Sequence, residues 1–485
     1  MKKFYITTAI DYVNGPPHLG HLLEKVQADC FARYKRLKGE DVFFLTGTDE
    51  HGIKIEKKAQ ELGITPKELA DKNSALFQKL CEDFSISNDF FIRTTDEKTH
   101  FPGIKLLWET LSKKGDIYKK KYKGLYCQGC EAFLLEKDLV DGMCQLHKKA
   151  PELIEDENYF FKLSKYEKQI KEALEKDEVE IIPEKRKNEV LSFLQEGLED
   201  ISFSRDRNKV KWGFEVPADA SQTIYVWADA LTNYLSAVGY GRNNDYLNYW
   251  PADVHFIGKD IIKFHAIYWL GMLLALGLPL PKKIFCHGFL NVEGKKMSKS
   301  LGNVINPFDL LERYPSDAIR YFLLKEVPPF EDGNFSYSAM ERIYKGELAD
   351  GLGNLFSRTL SLAKIYKIEF LESEQFSNNY FKEKYSNTEE LWHGTLDGFK
   401  FNDTIKIVWG FIGFCNEVIE EEKLWEVDER KESTLKDIIL SLYKISTLIQ
   451  PFMPKTSETI NRNIHKNKEG KILISKEKII LFPKI

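Results

Sequence analysis

Residues 4–52 read "FYITTAIDYVNGPPHLGHLLEKVQADCFARYKRLKGEDVFFLTGTDEHG", and this stretch decides the fold. A short apolar run with β-forming residues is followed by a Gly-Pro-Pro turn. A segment with apolar residues at helical spacing comes next and ends at Gly39, and a second apolar run follows it. Strand, helix and strand in this order predict a βαβ unit with a parallel sheet, whose ligands bind at the carboxyl ends of the strands. Both polar tips, "NGPPHLGH" and "GTDEHG", fall at those ends.

The first tip places His18 and His21 around a Leu-Gly pair at the start of the predicted helix. Considered alone, this arrangement leaves three interpretations open: a metal site, a contact in the hydrophobic core, or a phosphate site. The rest of the chain has to decide between them.

The composition is that of a folded protein with several domains. The chain has 485 residues, of which 43% are hydrophobic, and its length suits about three domains. A formal net charge of -4 argues against a generally basic nucleic-acid-coating protein but leaves room for a local basic patch. Seven cysteines, partly in a CxxC pair, favour metal binding in a reducing compartment. We see no signal-peptide pattern and no apolar stretch long enough to span a membrane, so we expect a cytoplasmic protein without a membrane partner.

The character of the sequence changes along the chain. From about Lys113 it is rich in lysine, turns and cysteine, which indicates an inserted module. The α/β pattern returns near Gln222, and amphipathic helices beyond about Met340 indicate a helical bundle. The boundaries that we expect are 1–112 for the first half of an α/β domain, 113–221 for the insertion, 222–290 for the second half, 291–345 for a region with a lysine-containing loop, and 346–485 for the helical domain.

The insertion carries two pairs of residues that are typical metal ligands. Cys127 and Cys130 form a CxxC pair on a turn, and Cys144 and His147 follow a short hairpin-length segment later. Four such ligands complete a tetrahedron without a position for a catalytic water, so the spacing predicts one structural zinc ion per chain. The alternative is a chance grouping of cysteines in a turn-rich module. The other cysteines lie in apolar or helical contexts and are expected to be ordinary buried residues: Cys30, Cys81, Cys286 and Cys415.

A further candidate site lies in "VEGKKMSKSLGNV" at 292–304. Lys295, Lys296 and Lys299 can place ammonium groups on phosphate oxygens, and we expect Gly294 and Gly302, with the serines between them, to keep the loop pliable. Pliable loops with cations can close over a triphosphate and stabilise the charge that develops when a phosphoryl bond breaks. On composition alone, a solvated basic loop explains the segment equally well.

The two candidate sites together resemble the signature pair of the class I aminoacyl-tRNA synthetases. The first motif of that family reads His-(Ile/Leu)-Gly-His and matches 18–21, and the second reads Lys-Met-Ser-Lys-Ser and matches 296–300. The resemblance implies a phosphate site at a helix N-terminus, where the dipole and the N–H groups favour anions. The implied catalytic residues are His18, His21, Lys296 and Lys299. Gly20 and Ser298 are implied to contact ATP, which brings Mg²⁺ with it, and Gly20 would let adenine lie close to the backbone.

Further stretches resemble the methionyl-tRNA synthetases in particular, among them "FLTGTDEHG", "YVWADALTNYL", "FIGKDIIKFHAIYWLGMLLALGLPLP" and "GNLFSR". The resemblance implies that Asp49 binds the ammonium group of L-methionine, and that Gly258 and Asp260 hold the ATP ribose. The residues implied to line the methionine side-chain pocket are Ile10, Tyr12, Trp227, Ala230, Tyr234, Ile261 and His265. Such a pocket is chemically reasonable, because aromatic rings and a hydrogen-bond donor suit a polarizable thioether.

The resemblance also has consequences for the overall architecture. It implies a Rossmann-type α/β domain with a parallel sheet, split by a zinc-knuckle insertion and followed by an all-α anticodon-binding bundle. Synthetases for branched amino acids resemble one another in carrying a large inserted editing domain, and the insertion here is too short for one. Asp11 and Leu231 stand where the family often has proline, and Leu231 can alter the pocket wall. The chain ends after the helical bundle without the dimerising oligonucleotide-binding domain of some members, so we expect a monomer.

The helical bundle is implied to read the CAU anticodon of tRNA(Met), both initiator and elongator. Asn354 and Arg358 lie one helical turn apart in "GNLFSR", and Trp425 lies in "EEEKLWEV". An amide and a guanidinium can read base edges while an indole stacks on a base. Without the resemblance, a core tryptophan and a surface Asn/Arg pair are the simpler interpretation of these residues.

The function implied by these motifs is ATP-dependent activation of methionine to methionyl-adenylate, followed by transfer to the 3′ end of tRNA. Three alternatives stay open: a class I synthetase for another amino acid such as cysteine, a small nucleotidyltransferase, and a non-catalytic tRNA-binding relative. The cysteine enzyme would be expected to hold zinc in its amino-acid pocket. A nucleotidyltransferase would not need the terminal bundle, and a non-catalytic relative should have lost a motif histidine or lysine.

Overall fold

The computed structural model describes residues 1–127, 129, 132–134, 139–145, 148–297, 302–475 and 479–484. Backbone contacts divide the chain into two compact units. The first unit contains Met1–Pro17, Gly39–Lys79 and Asn88–His287, and the second contains His18–Lys38, Leu80–Ser87 and Gly288–Ile485. Each unit is therefore built from segments that are far apart in the sequence.

The strands, numbered in chain order, are β1 Lys3–Thr8, β2 Asp11–Tyr12, β3 Asp41–Asp49, β4 Phe90–Arg93, β5 Ile117–Cys127, β6 Ala132–Leu134, β7 Leu139–Val140, β8 Met143–Cys144, β9 Glu152–Phe161, β10 Glu180–Ile182, β11 Ile201–Ser202, β12 Ser204–Asp206, β13 Glu215–Val216, β14 Asp219–Ile224, β15 Val254–Gly258, β16 Lys283–His287, β17 Leu290–Val292, β18 Lys295–Lys296, β19 Gly333–Phe335, β20 Phe370–Leu371, β21 Ile464–Lys466 and β22 Ile472–Ile474.

The α-helices are α1 Leu19–Leu37, α2 Ile53–Leu62, α3 Pro66–Asp83, α4 Phe101–Lys113, α5 Glu167–Glu175, α6 Glu184–Gln195, α7 Val226–Leu231, α8 Asn233–Ser236, α9 Tyr246–Tyr249, α10 Trp269–Leu276, α11 Pro307–Leu311, α12 Ser316–Glu326, α13 Tyr337–Ile343, α14 Asn354–Ile365, α15 Asn379–Asp397, α16 Phe401–Glu421, α17 Glu432–Ile449 and α18 Pro454–Asn463. Short 3₁₀ turns cover Leu163–Tyr166, Lys259–Ile261 and Glu429–Lys431, and π-helical turns cover Phe264–Tyr268 and Tyr344–Gly353. Within the described ranges, none of the helices combines the length and apolar character that crossing a membrane requires.

The centre of the first unit is a parallel sheet to which seven of the described strands belong. Its order is β10–β16–β15–β1–β3, with β4 paired to β3 and β2 running beside the carboxyl end of β3. β1 and β3 pair in parallel from Lys3 opposite Asp41 to Thr7 opposite Leu45, and α1 lies between them in the sequence. The predicted βαβ unit and parallel sheet are therefore confirmed. β15 is buried at every position, as expected for a strand that is covered on both faces.

The edge strand β10 comes from the segment that the sequence assigns to the insertion. Its three residues pair in parallel with β16, from Glu180 opposite Lys283 to Ile182 opposite Phe285. Residues 180–182 therefore belong to the main sheet, although they lie within the expected insertion 113–221. A strand of three residues is too short to show a clear alternation of apolar and polar residues. Because charged helical segments flank it on both sides, the sequence pattern does not predict it.

The insertion itself is a second, antiparallel layer in the first unit. β5 and β9 pair from Ile117 opposite Phe161 to Tyr126 opposite Glu152. β6 pairs with the end of β5, β11 with β9, and β7 with β8. Part of this layer packs into the same hydrophobic core as the main sheet, since Ile117 and Phe161 are buried in one cluster with residues of α4 and α10.

The second unit combines α1 with the C-terminal helices. The Lys35 ammonium group lies 2.7 Å from the Asp397 carboxylate of α15, and Tyr34 and Trp392 pack edge to face at 5.2 Å. The expected boundary of 1–112 places α1 with the first strands, whereas its contacts assign it to the second unit. The sequence pattern predicts the helix but carries no signal for the side on which it packs.

A buried arginine connects four segments of the second unit. Arg320 of α12 lies 2.6 Å from the Asp29 carboxylate of α1 and donates to the carbonyl oxygens of Phe84, Pro451 and Phe452 at 2.9–3.1 Å. Burial alone would raise the pKa of Asp29, but Arg320 and Arg33 outweigh it and lower this pKa below its ordinary value.

The strands before the lysine loop form a tight hairpin in the second unit. β17 and β18 pair antiparallel, with Asn291 opposite Lys296. Glu293 and Gly294 connect them with φ angles of 48° and 75°. Two central residues with positive φ define a type I′ turn, for which glycine is favoured. Gly294 therefore serves the turn geometry, whereas the sequence predicted that it keeps the loop pliable.

Candidate active site

The tip that follows β3 is fixed on two sides. The buried Glu50 carboxylate accepts two hydrogen bonds from the Arg93 guanidinium at 2.7 and 2.9 Å and one from the Thr48 hydroxyl at 2.8 Å. On the other side, the Trp212 indole donates to the Glu50 carbonyl oxygen at 2.5 Å, and the Gly52 N–H donates to the Trp212 carbonyl oxygen at 2.9 Å. Asp49 belongs to this fixed tip and is buried.

Two histidines of the first unit share one buried carboxylate. Asp229 of α7 lies 2.7 Å from Nδ1 of His51 and 2.9 Å from Nε2 of His100. Nδ1 of His100 lies 2.8 Å from the Ser236 hydroxyl. Burial alone would raise the pKa of Asp229, but His51 and His100 outweigh it and hold this pKa well below its ordinary range. Asp229 is therefore ionised and fully engaged at neutral pH.

The predicted side-chain pocket contains stacked rings and a bonded Tyr–His pair. Trp227 stacks on Phe264 at 3.8 Å between ring centres, and His265 meets Trp227 edge-on at 6.3 Å. The Tyr234 hydroxyl lies 2.8 Å from Nε2 of His265, and Nδ1 of His265 lies 3.0 Å from the Ile261 carbonyl oxygen. A carbonyl oxygen can only accept, so Nδ1 carries the ring proton and Nε2 accepts from Tyr234. Burial lowers the pKa of His265 to about 4, so the ring is neutral at pH 7.

A further buried histidine packs against Tyr234 of this predicted pocket. His255 of β15 lies 4.4 Å from Tyr234 between ring centres, and its Nε2 accepts from the Trp269 indole at 3.3 Å. Its Nδ1 lies 2.7 Å from the Thr7 hydroxyl, and burial, with His265 nearby, lowers the pKa of His255 well below its ordinary value. Tyr234 is therefore held between two neutral imidazoles.

The remaining predicted residues of the first unit lie at or near strand ends. Tyr12 of β2 is the register partner of Asp49, which brings these two together. Ile10 lies between β1 and β2, and Ala230 lies in α7. Gly258 ends β15, and a Cβ atom there would lie 2.8 Å from a carboxylate oxygen of Asp260, so a larger residue would require the Asp260 side chain to shift.

Two of the four predicted phosphate residues, His18 and His21, lie together at the start of α1 in the second unit. The rings of His18 and His21 stack at 3.6 Å, and the His18 N–H donates to Nδ1 of His21 at 3.1 Å. Nδ1 of His21 is thus an acceptor, and the neutral ring carries its proton on Nε2. The Leu19 N–H donates to the Ile305 carbonyl oxygen at 3.0 Å, and the His21 N–H donates to the His18 carbonyl oxygen at 3.0 Å. Both of these backbone N–H groups are therefore engaged within the protein.

Gly20 brings both signature motifs together within the second unit. A Cβ atom at Gly20 would lie 3.1 Å from the His18 ring and 3.3 Å from the methyl group of Met297, which follows Lys296. Lys296 is exposed at the end of β18, with its ammonium group 5.1 Å from the Phe289 ring centre. Ser298 and Lys299 lie outside the described residues.

The three residues predicted to read the anticodon also lie in the second unit. Asn354 begins α14 and is exposed, and Arg358 follows one turn later. The Arg358 guanidinium lies 5.7 Å from the centre of the Trp425 ring and 2.5 Å from the Glu420 carboxylate. Trp425 is 45% exposed, which distinguishes it from a core tryptophan.

Of the four predicted zinc ligands, the structure describes two. Cys127 ends β5 and Cys144 ends β8, and both thiols are buried. Cys130 and His147 lie outside the described residues. Two buried thiols at strand ends suit a zinc ligand set in their chemistry. Among the described residues alone, no group of three or more candidate ligands is present.

Sequence reasoning missed the polar residues that hold the site together. His51 and Asp229 stand inside the quoted motifs "GTDEHG" and "YVWADALTNYL", next to residues that were assigned roles. Arg205 was also missed: it is buried, donates to the carbonyl oxygens of Ser202 and Ser204, and lies 4.3 Å from the Tyr225 ring centre. For Asp229 the available signal was a charged residue among apolar ones in "YVWADALTNYL", because such residues are buried only with partners; His51 and Arg205 stand in polar stretches that give no such signal.

Comparison with known proteins identifies the class first. A family model described as "tRNA synthetases class I (M)" matches residues 4–144 and 134–360. The chain is 39% identical over 475 residues to a methionine–tRNA ligase of Thermotoga maritima, covering 95% of this chain and 75% of that protein. It is 40% identical over 471 residues to a methionine–tRNA ligase of Brucella melitensis, covering 95% of this chain and 91% of that protein.

A solved structure agrees with these matches. The methionyl-tRNA synthetase of Mycobacterium tuberculosis in complex with methionyl-adenylate superposes with a TM-score of 0.93 at 36% identity, covering 100% of both chains. The class is therefore that of the class I aminoacyl-tRNA synthetases. Within this class, the chain belongs to the methionine–tRNA ligase family. It activates methionine with ATP and transfers it to tRNA, so the resemblance stated from the signature motifs is confirmed.

Proposed function

We propose that His18, His21, Lys296 and Lys299 bind the phosphates of ATP during methionine activation. The observation that carries this assignment is the proximity of Gly20 to Met297, since a Cβ atom at Gly20 would lie 3.3 Å from the Met297 methyl group and 3.1 Å from the His18 ring; residues of both motifs are therefore neighbours in the second unit. The methionine carboxylate is already an anion when it attacks the α-phosphate, so the step needs no general base. Positioning and charge stabilisation account for the catalysis. Mg²⁺ accompanies ATP and neutralises part of its charge.

In the first unit, we assign the methionine site to Asp49 and the rings around His265. The Asp49 carboxylate binds the ammonium group. Trp227, Tyr234 and His265 line the side-chain pocket together with Ile10, Tyr12, Ala230 and Ile261. The polarizable thioether suits a pocket of aromatic rings and neutral imidazole. The low pKa of His265 supports the assignment, because a charged ring would disfavour an apolar side chain.

The remaining ATP contacts are assigned to the ribose and to the lysine loop. Gly258 and Asp260 follow β15 at the carboxyl edge of the sheet, where parallel sheets bind nucleotides, and they hold the ribose. Gly20 and Ser298 contact the nucleotide from the signature motifs.

For the insertion, we propose one structural zinc ion bound by Cys127, Cys130, Cys144 and His147. The ligand spacing and the burial of the two described thiols support it. Zinc would stabilise a polar module that has no core of its own, and it would leave no coordination site for substrate.

For tRNA, we propose that Asn354, Arg358 and Trp425 contact the anticodon of initiator and elongator tRNA(Met). The exposed Trp425 ring and the nearby guanidinium support this, because stacking platforms and planar donors read single-stranded bases.

We likewise propose the domain limits 1–112, 113–221, 222–290, 291–345 and 346–485 as functional regions. A monomeric state and a cytoplasmic location stay predictions, and light scattering tests the first.

Lys299→Ala tests the phosphate assignment, with Lys295→Ala as its matched control. Pre-steady-state adenylate formation should slow by about 10²–10³-fold in Lys299→Ala, because a charge that stabilises the transition state is lost. Methionine affinity in the absence of ATP should stay unchanged. Lys295 carries the same charge outside the signature motif, so its replacement should have a far smaller effect. Equal effects of the two variants would contradict the assignment.

A further inference from the structure

The Asp229 carboxylate connects both ends of the proposed methionine site. His51, whose Nδ1 lies 2.7 Å from Asp229, follows Asp49 by two residues on the fixed tip after β3. Asp229 itself stands between Trp227 and Ala230 on α7. One buried hydrogen bond therefore links the segment assigned to the ammonium group with the helix assigned to the side chain.

The helix presents its two functions on different faces. Thr232 between α7 and α8 also has helical backbone angles, so helical spacing applies from Val226 to Ser236. Trp227, Ala230 and Tyr234 are spaced three and four residues apart and share one face. Asp229 and Ser236 are seven residues apart and share another face, on which both contact His100. The polar face thus anchors the helix while the other face lines the pocket.

The Asp229 carboxylate is the acceptor at the centre of this network. An ionised carboxylate can only accept, so His51 donates to it from Nδ1 and His100 from Nε2, and Nδ1 of His100 lies 2.8 Å from the Ser236 hydroxyl. Asp229, His100 and Ser236 are each 0–1% exposed. The helices approach closely here, since a Cβ atom at Gly103 of α4 would lie 2.8 Å from the Cβ of Ser236. Buried networks with every partner satisfied fix one geometry.

We propose that Asp229 is a positioning residue that sets the distance between the ammonium end and the thioether end of the methionine site, and thereby selects for the length of the substrate. The inference rests on the proposed roles of Asp49 and Trp227. The amino acid must span the distance between two anchors, and His51–Asp229 is a direct bond between the two segments that carry them. Asp229 does not touch the substrate.

The test compares Asp229→Asn with Asp116→Asn in ATP–pyrophosphate exchange. An amide cannot accept from both imidazoles, so one bond of the network is lost. Asp116 is an equally buried carboxylate of the first unit that binds Lys165 at 2.6 Å and the Tyr166 hydroxyl at 2.9 Å. In Asp229→Asn, the KM for methionine should rise about tenfold while the KM for ATP changes by less than about twofold. Asp116→Asn should change neither KM by more than about twofold.

Substrate length provides the readout that a merely structural role would not move. The wild type should prefer methionine over ethionine, which is one methylene longer, and over S-methylcysteine, which is one methylene shorter. In Asp229→Asn, the preference for methionine, measured as a ratio of kcat/KM values, should fall about tenfold, since one methylene is worth about 10–200-fold in a well-formed pocket. An unchanged preference would overturn the proposal.

If Asp229→Asn does not fold, variants of His51 test the positioning role of the His51–Asp229 hydrogen bond instead. Asparagine places an amide nitrogen near the position of Nδ1 and can still donate to Asp229, whereas leucine cannot. His51→Asn should therefore retain the length preference that His51→Leu loses, and equal behaviour of the two would refute the proposal.

Trp227→Ala separates this inference from the pocket assignment. If Trp227→Ala leaves the methionine KM unchanged, the pocket assignment fails; if it raises the KM while Asp229→Asn and His51→Leu do not, only the positioning role fails.

Discussion

The ring of His21 has a defined proton arrangement because of one backbone hydrogen bond. The His18 N–H donates to Nδ1 of His21, which leaves the proton of the neutral ring on Nε2. A donor at that position suits a phosphate oxygen, whereas an acceptor would repel it. The capping geometry at the start of α1 therefore prepares the ring for an anion.

Two amide substitutions at His21 separate these ring nitrogens. Glutamine places its amide group near the Nε2 position, and asparagine places its amide group near Nδ1. If Nε2 donates to phosphate, His21→Gln should retain more methionine-dependent ATP–pyrophosphate exchange than His21→Asn. We expect the asparagine variant to lose about 10²–10³-fold in kcat, as for the loss of one donor to a developing charge. Greater activity in His21→Asn would contradict the assignment.

The buried His265 makes the stability of the protein depend on pH. Its pKa of about 4 lies below the ordinary value of 6.5, so the unfolded chain binds more protons between these two values. Stability from this residue is therefore complete above pH 6.5 and is lost as the pH falls towards 4. From pH 7 to pH 5 the loss should be about 2 kcal/mol for this residue. Urea unfolding of the wild type and of His265→Gln at both pH values measures it. The stability difference between the two proteins should shrink by that amount at pH 5, and a constant difference would count against a neutral buried ring.

At the scale of residues, the sequence revealed the motif positions but not their partners. His18, Gly20 and His21 could be recognised because the residues are contiguous. Asp229 and His51 are separated by 178 positions, and neither gives a local signal that the other is its partner. A tertiary hydrogen bond depends on how the elements pack, which periodicity and propensity do not encode.

At the scale of elements, strands with strong patterns were predictable and short ones were not. β1, α1 and β3 follow from the opening stretch, because their apolar residues repeat with clear periods. β10 has three residues and gains its stability from β16, so it was included in the insertion. The turn at Glu293 and Gly294 illustrates the same limit, since a glycine indicates conformational freedom but not which turn uses it.

The insertion provides a prediction about metal content. Cys127→Ala should reduce zinc from one ion per chain to a small fraction, because three ligands do not complete a tetrahedral structural site. Cys415→Ala removes a buried thiol of α16 and should leave the zinc content unchanged. Inductively coupled plasma mass spectrometry on the purified proteins measures both. Stoichiometric zinc in Cys127→Ala would refute the ligand set.

At the scale of the whole molecule, the sequence predicted an α/β fold with a parallel sheet and further helices. It did not predict that α1 belongs with the C-terminal helices. A prediction from sequence assigns each segment to the same domain as its neighbours in the chain. The amphipathic spacing of α1 is compatible with packing in either unit. Such an assignment depends on contacts such as Lys35 with Asp397, which are 362 positions apart.

The division of labour between the units can be tested at Trp425. Trp425→Ala should weaken tRNA binding by about 1–3 kcal/mol, because one stacking platform is lost. Methionine-dependent ATP–pyrophosphate exchange without tRNA should persist, since no residue of the proposed phosphate and methionine sites changes. Trp425→Phe should recover part of the affinity by keeping an aromatic face. Filter binding with tRNA(Met) and the exchange assay give the two values, and a parallel loss in both would argue against an anticodon role.

The buried Arg320 determines how the protein can be cut into fragments. A fragment that begins at Gly288 would keep this guanidinium but lose the Asp29 carboxylate and the Phe84 carbonyl that it binds. A fragment 346–485 would keep the carbonyls of Pro451 and Phe452 but lose Arg320 itself. Removing one partner of a buried ion pair costs about 3–5 kcal/mol. We therefore expect a fragment that begins at Gly288 to be less stable than the whole second unit, and a shortened chain that keeps Arg320 needs the segments around Asp29 and Phe84 as well.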